Sequence, residues 1–341
     1  MAGLETQKRT PWRRWIVLVL MIAGFVLGGM FIPVQPEIVV APEKLIEEPI
    51  AGNFLGFAGP LYLVNTLPTL AVTIVLLALV AFFTNRSIKQ SARTDMVPRG
   101  IGNLMEALVE MLYNLTEGSA GKYARMIFPW FATIMIYVLF ANLLKLIPGF
   151  ESIGVLHHAA HGHEGHAKEL LGGPWYLFTH EKGEYILAPF FRGISVDLNF
   201  TASLAIIAVV MIQVIGFRAQ GFGYLSKFFN TRRMFKVPFF GAMDFLVGLL
   251  ELISELSKIL SFAFRLFGNM FAGIVLVAIV AGLLGKISIL PAMVMLFELF
   301  VGVIQAFVFG MLTMVFMAQA TQGHGEHEEH EGSHAEAAHE I

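Results

Sequence analysis

Apolar residues fill six stretches of the chain, 12–34, 61–83, 126–148, 198–217, 239–285 and 288–320, and charged residues gather between them. A helix needs about 20 mainly apolar residues to cross roughly 30 Å of hydrocarbon, and each stretch is long enough. The pattern predicts an all-α polytopic membrane protein with about six membrane helices. Segment 101–117 departs from it. There Ile101, Leu104, Met105, Leu108, Met111, Leu112 and Leu115 recur at helical spacing while Asn103, Glu106, Glu110, Asn114 and Glu117 take the other face. This is an amphipathic interfacial helix, too polar to span. Helices that bind anionic lipid carry Lys and Arg on the polar face, so its acidic face points to a protein partner.

The fifth stretch follows Pro238 and meets no proline until Pro291. Unbroken, it would measure about 70 Å at 1.5 Å per residue, more than twice the hydrocarbon thickness. Such a helix lies steeply oblique, runs nearly along the membrane, or breaks near Gly268 or Gly273. The sixth stretch shares the excess in milder form. Together they predict an overlong, strongly tilted hairpin that follows the curved flank of a neighbour in the membrane.

Polar residues on the fifth stretch fall on one stripe: Glu251, Ser254, Glu255, Lys258, Ser261, Arg265 and Asn269. Residues three and four apart share a helix face. Charges in hydrocarbon cost about 2.5 to 3.5 kcal/mol each on insertion scales, so the stripe faces protein or water. Glu298 and Gln305, seven apart on the sixth stretch, share a face in the same way. Glu255 and Lys258 can neutralise each other at i, i+3. Arg265 has no acid within one turn. A buried guanidinium without a counter-ion in its own chain implies a partner that brings a carboxylate.

Composition narrows the classes. Of 341 residues, 56% are hydrophobic and 14% charged, and the mean hydropathy is +0.71, which excludes a soluble globule. The absence of cysteine removes disulfides and thiolate chemistry. A net charge of −2 gives no basic field for nucleic acid. With a cytoplasmic N-terminus, 15 Lys and Arg fall on inner segments against 5 on outer ones, which places both termini in the cytoplasm. Segment 12–34, preceded by Lys8, Arg9, Arg13 and Arg14, reads as a retained helix, with a signal peptide as the alternative.

The run Arg265-Leu266-Phe267-Gly268-Asn269-Met270, followed by Ala272-Gly273, resembles the signature of subunit a of F-type ATP synthases. Supporting runs stand in the same order: Asn142-Leu143-Leu144-Lys145-Leu146-Ile147-Pro148, Asp197-Leu198-Asn199-Phe200-Thr201 and Gln305-Ala306-Phe307-Val308-Phe309. The resemblance divides the chain into an N-terminal helix and outer segment (1–56), a subunit a-like membrane domain (57–320) with a His-rich outer loop at 151–170, and an acidic His-rich cytoplasmic tail (321–341). It implies a non-catalytic stator in a bacterial plasma membrane that passes protons to and from a rotating c-ring, with b subunits of the peripheral stalk, other ATP synthase subunits and the lipid bilayer as partners and no cofactor. Arg265 would face the ring carboxylate. Glu251, Ser254 and Ser261 would line a cytoplasmic half-channel, and Asn269, Gln305 and Glu298 an outer one with Asp197 at its mouth or as a helix N-cap. The family often carries an acid or histidine nine residues after the arginine. Ile274 stands there, which leaves the outer half to Glu298 alone or to water.

Histidines crowd the outer loop (His157, His158, His161, His163, His166) and the tail (His324, His327, His330, His334, His339). Loose spacing favours solvated low-complexity segments over a metal site. A metal-ion transporter is the rival function, yet no histidine falls within the six stretches, where a transport site would need ligands. Neither His163-Glu164-Gly165-His166 nor His327-Glu328-Glu329-His330 has the H-E-x-x-H spacing, both fall outside the apolar stretches, and no phosphate-binding loop occurs, so protease and nucleotide chemistry are not expected.

Overall fold

The computed structural model describes residues 15, 41–45, 49–53, 60–91, 100–145, 154–169, 176–228, 238–284 and 290–322. Its body consists of helices α1 (Thr66–Ser91), α2 (Ile101–Ala120), α3 (Ala124–Leu144), α4 (Leu198–Gln220), α5 (Pro238–Leu284) and α6 (Leu290–Thr321). Five helical segments are long and apolar enough to cross a membrane: Thr66–Ser91, Ile101–Leu144, Leu198–Leu225, Leu246–Val280 and Met293–Thr321. The expected first span, 12–34, lies outside the described residues apart from Trp15, and so does the tail beyond Gln322.

Helix boundaries follow local chemistry. Pro68, Pro238 and Pro291 stand in the first turns of α1, α5 and α6, where a missing N–H costs nothing. Gly121 and Gly221, at φ 50° and 61°, end α2 and α4. An added Cβ would meet nothing within 4 Å at either, so glycine is needed there for its backbone angle rather than for space. Helix α5 runs unbroken for 47 residues. Gly268 and Gly273 are therefore helical positions and not breaks.

At the centre of the bundle, α3 buries Ile127, Phe131, Ile134, Met135 and Val138. It packs on α6, which also meets α4 and α5. In lipid, close backbone approach and dispersion replace the hydrophobic effect as the force between helices, and small residues permit it. Two glycines of α6 do this against α3. A Cβ on Gly310 would lie 2.7 Å from Met135 Cβ, and one on Gly302 3.2 Å from Asn142 Cβ. The apolar stripe of α2 is seated partly on this core through Leu112, while Glu106, Glu110 and Glu117 stay exposed.

Outside the helices lie two antiparallel pairs, a short one of β1 (Ala51–Asn53) with β2 (Pro60–Leu61) and a longer one of β3 (Gly154–Glu169) with β4 (Tyr176–Pro189). The second pair covers most of the His-rich outer loop expected at 151–170. Its register runs from Gly154 opposite Pro189 to His158 opposite Tyr185, shifts, and resumes at His163. A ribbon pairs the backbone groups of a connection too long to leave them all to water.

Candidate functional site

Helices α5 and α6 form an antiparallel pair whose contacts make a ladder. Lys258 lies over the Phe316 ring, 4.7 Å from its centroid, and the Phe262 and Phe309 rings are 5.1 Å apart. Further along, Asn269 Nδ2 donates to Gln305 Oε1 over 2.7 Å. At the last rung Gly273 faces Glu298, and a Cβ on that glycine would overlap Glu298 Oε1. The rungs order the polar stripe by height, and Arg265 sits between the aromatic rung and the amide rung.

Arg265 is half-buried within the chain and donates from Nη2 to Ser261 Oγ, one turn back, over 3.1 Å. Among the described residues no carboxylate lies within ion-pair distance of it. The guanidinium cannot shed its charge, so its electrostatic demand is left for something outside this chain. Below it, Glu255 and Lys258 neutralise each other over 2.9 Å, as their i, i+3 spacing predicts. Glu251 is half-buried, and Ser254 and Ser261 are exposed at the chain's own surface. They share that surface with Leu250, Ile253, Leu256, Leu260 and Phe264.

Above Arg265 lies a second set of polar residues. Gln305 is buried, and its Nε2 finds no hydrogen-bond partner among the described residues. Glu298 is buried as well, and Lys145, just past the end of α3, stands 3.4 Å from its Oε2. Asn142, one turn before Lys145, donates to the Gly302 carbonyl over 3.0 Å and accepts the Ser195 hydroxyl at 2.6 Å. Asp197 caps α4: its Oδ1 accepts the Asn199 N–H at 2.9 Å and its Oδ2 the Thr66 hydroxyl at 3.0 Å. The end of α3 and the turn before α4 thus meet the α5–α6 pair on one side of Arg265, while Glu251, Ser254, Glu255 and Lys258 lie on the other.

The structure brings Asn269 and Gln305 into direct contact, and Arg265 and Ser261 likewise. Glu251 and Ser254 stand two to four turns of α5 away, and Asp197 belongs to a neighbouring cluster with Thr66. Sequence reasoning passed over Lys145, Asn142, Ser195, Thr66 and Gly273. One signal was available for Lys145. It is an isolated cation at the edge of an apolar stretch, and Glu298 is an isolated anion in another; two unmatched charges of opposite sign in a membrane protein are candidates for one another.

The family model of the ATP synthase A chain matches residues 67–318. ATP synthase subunit a of Moorella thermoacetica is 27% identical over 267 residues, covering 78% of this chain and 94% of that protein. Its counterpart in Campylobacter jejuni is 32% identical over 254 residues, covering 72% and 86%. That of Citrifermentans bemidjiense is 28% identical over 241 residues, covering 71% and 81%. With its apolar helices, an arginine that has no carboxylate partner among the described residues, and a family match that runs from the start of α1 nearly to the end of α6, the chain belongs to the ATP synthase A chain family.

Proposed function

We infer that the chain is the non-catalytic proton-channel stator of an F-type ATP synthase in a bacterial plasma membrane, packed against a ring of c subunits. The observation that carries this reading is Arg265: a permanent cation at mid-height of an apolar helix, without a carboxylate of its own among the described residues and with separate polar groups on either side. A ring carboxylate moving through lipid is costly when ionised. Arg265 stabilises it at the one place where it must pass without a proton. Because guanidinium does not release its own proton, the residue attracts the carboxylate without conducting.

Protons enter through the group above Arg265 and leave through the group below it. On the entry side Glu298, Gln305 and Asn269 lead from an outer mouth near Asp197 toward the ring. On the exit side Ser261, Ser254 and Glu251 take the proton to the cytoplasm. Buried polar atoms without a protein partner, Glu298 Oε1 and Gln305 Nε2, favour a water-carried route in the outer half. Each proton that passes is driven by about 2.3 kcal/mol per 100 mV, so leakage between the halves would dissipate the gradient as heat. The exposed face of α5 is the ring-facing surface, and its length of 47 residues requires a strong tilt along that ring. The acidic face of α2 takes the b subunits of the peripheral stalk, and both termini are cytoplasmic by the Lys and Arg balance. Residues 57–320 form the membrane domain, with 1–56 and 321–341 as appendages.

The test is Arg265→Ala in the assembled complex. ATP synthesis is expected to vanish while the chain and the c subunits remain in the membrane in normal amounts; normal synthesis would reject the assignment.

A further inference from the structure

We propose that Lys145 is the positioning residue for Glu298, the mate that Ile274 does not supply, and that it fixes Glu298 Oε1 as the atom on which entering protons land. This rests on the reading of Arg265 and Glu298 given above.

The carboxylate of Glu298 is held unevenly. Its Oε2 lies 3.4 Å from Lys145 Nζ, with the two side chains only 10% and 3% exposed. Its Oε1 has no hydrogen-bond partner among the described residues and lies over Gly273, where any side chain would displace it. A buried ion pair that served stability alone would be expected to satisfy both oxygens, because an unpaired buried acceptor costs free energy. Here one oxygen is anchored, and the other is buried against Gly273 of α5 without a hydrogen-bond partner among the described residues. Glycine at 273 leaves the room that this oxygen occupies, and Ile274 beside it offers no polar group.

Lys145 is itself held in place. One turn earlier on α3, Asn142 donates to the Gly302 carbonyl of α6. Gly302 stands one turn beyond Glu298, so Asn142 and Lys145 clamp α6 at two successive turns. The Ser195 hydroxyl, donating to Asn142 Oδ1, ties the clamp to the segment before α4. These bonds hold the end of α3 against α6 and so set the base of the Lys145 side chain within reach of Glu298. The proton arrives at Oε1 from water and departs from Oε1 toward the ring, and the contact at Oε2 does not have to break.

Inverted membrane vesicles containing the assembled complex test this through ATP synthesis and through proton flux. Lys145→Met is expected to lower both by at least about tenfold, equivalent to about 1.4 kcal/mol on the barrier. Lys145→Arg keeps the charge and is expected to stay within about threefold of the parent. The variant combining Lys145→Met with Glu298→Gln should be no slower than Glu298→Gln alone, because the two residues act through one atom. If Lys145→Met strands a buried charge and fails to assemble, the double variant removes both charges together and still decides the question. Parent-like flux in Lys145→Met, or losses that multiply in the double variant, would overturn the proposal. Arg265→Ala in the same vesicles separates the two readings. Normal synthesis there would sink the stator assignment, whereas a dead Arg265→Ala beside a parent-like Lys145→Met would sink the role of Lys145 alone.

Discussion

Asn269 Nδ2 donates to Gln305 Oε1 over 2.7 Å, and this bond joins α5 to α6 one turn beyond Arg265. It is the nearest polar link between the two helices on the entry side of the arginine. Its geometry leaves Gln305 Nε2 buried and unspent, while Asn269 itself reaches the chain's surface. The pair is placed to hand a proton or a water from the interior of the bundle to whatever passes that surface.

Gln305→Leu is expected to slow proton flux about fivefold to a hundredfold, which is the range for losing one buried hydrogen bond of 1–3 kcal/mol. Asn269→Leu should slow it to a similar degree, and the double variant should add little. Flux in vesicles measures all three, and a Gln305→Leu variant indistinguishable from the parent would remove this rung from the route.

Arg265→Lys should fail to restore synthesis. Lysine keeps a cation at mid-height but lacks the planar fork, and unlike guanidinium it can release its proton when buried. Measuring ATP synthesis and passive proton leak together is informative. A lysine variant that synthesises ATP at the parent rate would show that any charge suffices there.

Two glycines predict opposite phenotypes. At Gly273 the atom that a new Cβ would meet is the tip of Glu298, which can swing aside, so Gly273→Ala should fold and assemble while flux falls. At Gly310 the new Cβ would meet Met135 Cβ at 2.7 Å and Phe131 Cε2 at 3.1 Å. Met135 Cβ moves only with its backbone. Gly310→Ala should therefore cost about 1–3 kcal/mol of stability through overpacking. Thermal unfolding in detergent, set beside vesicle flux, distinguishes the two.

Asp197→Ala should destabilise the chain by about 0.5–2 kcal/mol through loss of the α4 cap, with a further loss from the stranded Thr66 hydroxyl. Asp197→Asn keeps a capping oxygen and should retain most of the stability. Since both oxygens of Asp197 are engaged within the chain, Asp197→Asn should reduce flux less than Glu298→Gln does. Paired melting and flux measurements would contradict this if the asparagine variant proved the slower of the two.

Much of the architecture is readable along the chain. The long helix expected over 239–285 occupies Pro238–Leu284, because proline marks a start and hydrocarbon length makes a long apolar run conspicuous. The solitude of Arg265 is readable for a related reason, since a charge in lipid demands an account. Lys145 escaped because a lysine at the edge of a span can reach the interface with its long stem and needs no mate. Asn142 escaped for another reason: its partners, Gly302 and Ser195, are 160 and 53 residues away, and no local pattern points to them. The ribbon at 154–189 was hidden by composition, as histidine and glycine blur the alternation that announces a strand.

The uninterrupted course of α5 makes it behave as a threaded rod. One residue inserted or deleted between Lys258 and Gly273 would turn everything beyond it by about 100° and shift it by 1.5 Å. The guanidinium, the amide rung and the glycine over Glu298 could not all return to their seats. Substitution can tune this rod at most positions, but its length between those marks admits no change, and frame-preserving indels there should be as damaging as the loss of Arg265.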